Sequence, residues 1–140
     1  MPNANGELIT RFQMSYHVQE LCAEHGILVE FTANAPATGY HAVRSPRKIR
    51  IRPTKNTGWY VSALHEIGHI IGKHQTNSDD QKAQEFWAWV WAKKNALTWT
   101  DTAERIMWEA MNSYGISRDS VSESNLTLID ILQAPELEDA

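Results

Sequence analysis

Val61-Ser62-Ala63-Leu64-His65-Glu66-Ile67-Gly68-His69-Ile70-Ile71-Gly72 sets the architecture of this chain. Val61, Leu64, Ile67, Ile70 and Ile71 recur at helical spacing, and the helix is expected to run from Thr57 to about His74. On such a helix His65 and His69 stand at i and i+4, on one side, with Cβ atoms about 5–6 Å apart. Two imidazoles so placed can converge on one ion, at zinc–nitrogen distances of about 2.0–2.1 Å. Glu66 is rotated by about 100° from His65. It is near the ion without being aligned with the two ligands, which suits a general base acting on water activated by zinc.

The competing reading of the bare H-E-x-x-H pattern is a solvated helix with two chance histidines. Three features count against it. The flanks are apolar, and buried polar groups without partners cost several kcal/mol. Gly68 and Gly72 share the side of His65 and His69, although each glycine costs a helix about 1 kcal/mol relative to Ala. Something must approach that side closely. Finally, the next helix supplies a third ligand, Glu85, in Glu85-Phe86-Trp87-Ala88-Trp89-Val90-Trp91-Ala92. Glu85, Ala88, Trp89 and Ala92 share one face, and Ala88 and Ala92 permit a close helix crossing. His65, His69 and Glu85 then give the three protein ligands of a mononuclear catalytic zinc site. His74 ranks second, as an outer or substrate-facing group at best, and a solvated helix-end histidine favoured by the helix dipole is the commoner reading. The position where a further histidine would complete an H-E-x-x-H-x-x-G-x-x-H pattern is Gln75.

Around this pair of helices the pattern implies a single α+β domain covering residues 1–140, with an N-terminal helix, a small β-sheet and then a helical bundle carrying the metal site. The first helix is expected over 7–25, with Leu8, Ile9, Phe12 and Tyr16 on one side and Met14, Val18 and Leu21 extending the apolar surface, and Gly26 as its stop. Ile27–Thr32 and Lys48–Arg52 alternate as strands, and Tyr40–Val43 reads as a short strand between them. Ser78 with Gln81 forms the signature of a capping box for the Glu85 helix, which runs to about Ala96. A helix over Thr102–Tyr114 carries Ala103, Ile106, Met107, Ala110, Met111 and Tyr114 on its apolar face and stops at Gly115. A last element falls over about Arg118–Gln133, followed by an acidic, frayed tail, 135–140.

The sequence resembles the ImmA/IrrE family of zinc metallopeptidases. The resemblance rests on His65-Glu66-Ile67-Gly68-His69 with Gly72 and His74 after it, and on Glu85-x-x-Ala88-x-x-Trp91-Ala92, which is similar to the family's E-x-x-A-x-x-F-A helix with Trp91 in place of Phe. The Lys48–Pro53 strand and the Thr57 start fall where the family places them, so the likeness covers roughly residues 40–95. It implies a zincin-like fold, zinc held by His65, His69 and Glu85, Glu66 as base, and cleavage of a regulatory protein, often a repressor, in a bacterium or mobile element.

Bulk properties narrow the remaining choices. The net charge of -4 argues against nucleic acid or a membrane surface as the main partner. No apolar run is long enough to span a bilayer. The opening Met1–Glu7 shows no signal-peptide pattern, and the lone Cys22 excludes an internal disulfide, which fits a reducing cytoplasm. Cys22 itself reads as a small buried helix residue. Six of the 13 basic residues lie between Arg44 and Lys55. The row Lys48, Arg50, Arg52 is either a solvated sheet face or an edge that pairs with an extended, acidic peptide by β-addition. Tyr60, Tyr40 or His41 can support an oxyanion. Two other functions compete with a peptidase: a zinc-bound, non-catalytic interaction module anchored by tryptophans such as Trp87, Trp91 and Trp108, and a helix-turn-helix at Gly115–Ser122, which has too few cations to read DNA well.

Overall fold

A computed structural model of the protein describes residues 10–32, 41–54 and 56–117. The fold is α+β: helix α1 (Arg11–Glu24), strands β1 (Leu28–Phe31), β2 (His41–Arg44) and β3 (Arg47–Ile51), then helices α2 (Thr57–Ile71), α3 (Gln81–Asn95) and α4 (Asp101–Ser113). Residues beyond 117 lie outside the described residues, and with them the expected last element, most of the Gly115–Ser122 segment and the acidic tail. Among the described residues no helix is long and apolar enough to cross a membrane.

Helix α1 is capped by a box formed by Thr10 and Gln13: the Thr10 hydroxyl accepts the Gln13 N–H, and the Gln13 amide oxygen accepts the Thr10 N–H. Its core face is Met14, Val18 and Cys22, one residue per turn. The expected Phe12–Tyr16 side is the wrong one, since these rings are 73% and 70% exposed. Both spacings are helical, so the period alone cannot choose between them. The sheet and α2 lie under Met14 and Val18. Gly26 closes the helix at φ +65°, in the left-handed region that glycine enters without penalty.

The sheet has the order β1-β3-β2, with β1 parallel and β2 antiparallel to β3. Ile49 and Ile51 of β3 are fully buried, as their alternation predicts, and each contributes roughly 1.5–3 kcal/mol by burial. The β3 row of cations is not a pairing edge. Both backbone edges of β3 are taken by its neighbours, and Glu30 of β1 binds Lys48 Nζ at 2.6 Å and Arg50 Nη2 at 3.0 Å. Arg52 lies over the Trp59 ring. Among the described residues the outer edges of the sheet belong to β1 and β2.

Helix α2 is the centre of the fold, touching α1, α3, α4, β2 and β3. Asn56 caps its start by accepting the Trp59 N–H. It ends at Ile71, three residues short of the expected His74, because Gly72 is extended and His74 adopts φ +57°. The Ser78–Gln81 box does not form. Asp80 is the N-cap of α3 without a side-chain bond, and the turn is held instead by Asp79, whose carboxylate accepts the Thr76 N–H and hydroxyl. Helix α4 starts under a Thr100 cap and buries Ala103, Met107 and Met111. The tryptophans of α3 and α4 are packed against the core, with Trp89 fully inside it. Trp87, Trp91 and Trp108 are half-buried, each with one side on the core.

Candidate metal centre

The crossing of α2 and α3 makes the site. A Cβ on Gly68 would collide with the Ala88 carbonyl oxygen and stand 3.0 Å from Ala88 Cα, and one on Gly72 would stand 3.3 Å from the Trp87 carbonyl oxygen. The glycines therefore set how near the two helix axes come, as their placement beside the histidines predicts. At that separation His65 Nε2 lies 2.7 Å and His69 Nε2 lies 3.1 Å from the same oxygen of Glu85, Oε2. One ligand atom from each of the three residues fits within 4.8 Å of the others. A tetrahedral ion with bonds of about 2.0–2.1 Å separates neighbouring ligand atoms by roughly 3.3 Å. The donor set and its spacing fit a divalent metal.

Each ligand is held from behind. The His65 ring stacks on Trp89 at 4.2 Å with the planes 9° apart. His69 Nδ1 lies 3.1 Å from the Gln75 amide oxygen, and Gln75 in turn donates to the carbonyls of Gln84 and Lys73. The Gln75 oxygen can only accept, so His69 turns Nδ1–H toward Gln75 and Nε2 is the nitrogen that faces Glu85 and is available to a metal, the usual way that outer partners orient a metal-binding imidazole. Gln75 is buried because the left-handed turn at His74 swings it back under the helix end.

Electrostatics at the centre follow from burial and convergence. Burial lowers the His65 pKa, against the Glu85 carboxylate, which accepts from the imidazole. Burial also presses down on His69, but Glu85 and Gln75 overcome it and the net shift is upward. Glu85 would be raised by burial, yet the two imidazoles hold it far below the usual carboxylate range. Glu66 is 7% exposed, and burial, with the Glu85 charge beside it, pushes it up to about 7 against the pull of His69.

A cleft of about 410 Å³ opens beside the three residues, lined by His41 and Arg44 of β2, Glu66 and His69 of α2, Glu85 of α3, and Tyr114. His41 thus stays a candidate for the oxyanion. Tyr60 does not: it is fully buried, its hydroxyl accepts the Leu97 N–H at 3.0 Å and meets His17 Nδ1 at 2.6 Å. Tyr40 lies outside the described residues. His74 is exposed, tilted against Trp87 and 3.8 Å from Asp79, and belongs to neither the ligand group nor the cleft wall.

Two residues at the centre escape the sequence reading. Tyr114 was assigned by its spacing to the apolar face of α4. It instead caps that helix and turns its phenol to the cleft, where burial, then Glu85 and Glu66, raise its pKa. No local signal marks it. Gln75 did carry a signal, since it occupies the third-ligand position of the longer histidine pattern. No family model, curated protein or solved structure matches the chain.

Proposed function

We propose that the protein is a zinc-dependent endopeptidase of the kind its resemblance to the ImmA/IrrE family implies, cutting a specific regulatory protein. The observation that carries this reading is the meeting of His65, His69 and Glu85 within 4.8 Å at a cleft that Glu66 also lines. Structural zinc sites are closed by four protein ligands, whereas catalytic ones have three and an opening. Three ligand groups beside a cleft support the catalytic case.

When bound, zinc supplies Lewis acidity in such a site, polarising a carbonyl and lowering the pKa of water to about 7. The remaining work falls to the chain. His65 and His69 present Nε2, oriented by Trp89 and Gln75. Glu85 completes the set from α3. Glu66 takes a proton from the attacking water and returns it to the leaving amine. The outer edge of β2 has no strand partner among the described residues and borders the cleft. An extended peptide can add there as a further strand.

Metal analysis of the purified chain, combined with a cleavage screen, tests the reading. Wild type should hold one zinc per chain and cut a protein substrate, and Glu66→Gln should keep the metal and lose the cleavage. A chain that binds no zinc, or a Glu66→Gln variant as fast as wild type, would overturn it.

A further inference from the structure

Among the described residues Arg44 is the one arginine or lysine in the cleft wall. The other cations of β3 and its end are engaged elsewhere: Arg47 by the His25 carbonyl, Lys48 and Arg50 by Glu30, and Arg52 by Trp59. Strand alternation places Arg44 on the same face as Ala42, the half-buried face of β2, and Ala42 packs against the core. Arg44 therefore stands about 6.6–6.8 Å further along the strand from a side chain too small to fill the space beside Glu66 and His69.

The guanidinium is positioned without being used up. Its Nη2 donates to Asn77 Oδ1 at 2.6 Å, which ties the end of β2 to the turn between α2 and α3. Its Nε and Nη1 make no hydrogen bond among the described residues. Asp79 is near enough to attract it, but the carboxylate of Asp79 is bonded to Thr76 and does not contact the guanidinium. What remains is a planar, permanently charged fork, anchored at one nitrogen and open at the others. Its geometric complement is a carboxylate.

We propose that Arg44 determines specificity in this cleft, selecting peptides that present a carboxylate a short distance along the chain from the bond to be cut. This rests on the peptidase reading above. An acidic side chain and a free C-terminus offer the same chemistry, and the test separates them.

The zinc-loaded full chain and its Arg44→Gln and Arg44→Glu variants are each given a mixed peptide library, and the cut sites are read by mass spectrometry. Zinc content and circular dichroism check that each variant is folded. Wild type should favour cut sites that carry, at one fixed spacing, either Asp or Glu or the peptide's own free C-terminus, by about tenfold or more, as for a charge-assisted hydrogen bond. Arg44→Gln should lose that preference, and Arg44→Glu should turn it toward Lys or Arg. A preference that survives amidation of the peptide C-termini assigns an acidic side chain, and one that vanishes assigns the terminal carboxylate; either supports the inference. Cleavage with neither an acidic preference nor a fixed distance from a free C-terminus, or the same profile in Arg44→Gln, overturns it and leaves the peptidase reading standing. A zinc-loaded wild type that cuts nothing in the library or in the protein screen brings down the peptidase reading and this inference with it.

Discussion

Helix α2 carries a buried histidine contact near each end, and the two behave oppositely. Near the N-terminus, the Tyr60 hydroxyl accepts the Leu97 N–H and pairs with His17 Nδ1. Burial lowers the His17 pKa, against the pull of Glu20, and pushes Tyr60 up to about 12. Both groups are thus held neutral, and the Tyr60 hydroxyl has a partner on each side. Near the C-terminus, His65 and His69 both aim Nε2 at one oxygen of Glu85, while Glu66 is buried alongside and makes no hydrogen bond among the described residues. That arrangement gathers more acceptor capacity than the protein uses. A buried histidine is therefore a poor sign of function by itself. What distinguishes the two ends is convergence of several ligand atoms beside an opening.

Changes at the C-terminal end should be the larger ones in function. Glu66→Gln should reduce cleavage by about 100- to 10,000-fold with metal content unchanged, whereas His65→Ala or Glu85→Ala should remove the metal as well, as measured by elemental analysis. Chelation should abolish activity and leave the far-ultraviolet circular dichroism largely intact, because the core of Ile49, Tyr60, Leu64, Ile67 and Met107 is built independently of the site.

Gly68→Ala tests the helix approach that makes convergence possible. The added methyl would press on the Ala88 backbone, so chemical denaturation should show a loss of about 3 kcal/mol together with weaker metal binding. Gln75→Ala removes the support behind His69. Metal affinity should fall by about 10- to 100-fold in a competition titration.

The N-terminal end should answer in stability alone. Tyr60→Phe leaves the Leu97 N–H and His17 without their partner, a loss of about 1–3 kcal/mol, and the bound metal should remain stoichiometric. A drop in metal content would mean that the two ends are coupled and would break the contrast between them. The smallest effect concerns pH. The His17 pKa is lower in the folded chain than its ordinary 6.5. Between those two values the unfolded chain binds more protons, so the stability His17 contributes is whole above about 6.5 and declines as the pH falls toward the folded value. His17→Gln should flatten that part of a melting-temperature profile.

The sequence determined what depends on local period and residue type. His65 and His69 share a side because they are four residues apart. Glu85, Ala88 and Ala92 share a face for the same reason, and Gly68 marks where the neighbour must come close. The alternation of Ile49 and Ile51 fixed the buried side of β3. Only the tertiary structure decided which of several equivalent faces is used and what lies next to it. Phe12 and Tyr16 have the same helical spacing as Met14 and Val18, and packing against α2 chose the second pair. The cations of β3 became a neutralised central row once Glu30 of β1 lay beside them. Gln75 reached His69 through a left-handed turn, and Tyr114 reached the cleft from the far end of another helix. Periodicity constrains directions within one element, whereas partners across elements are set by how the elements pack.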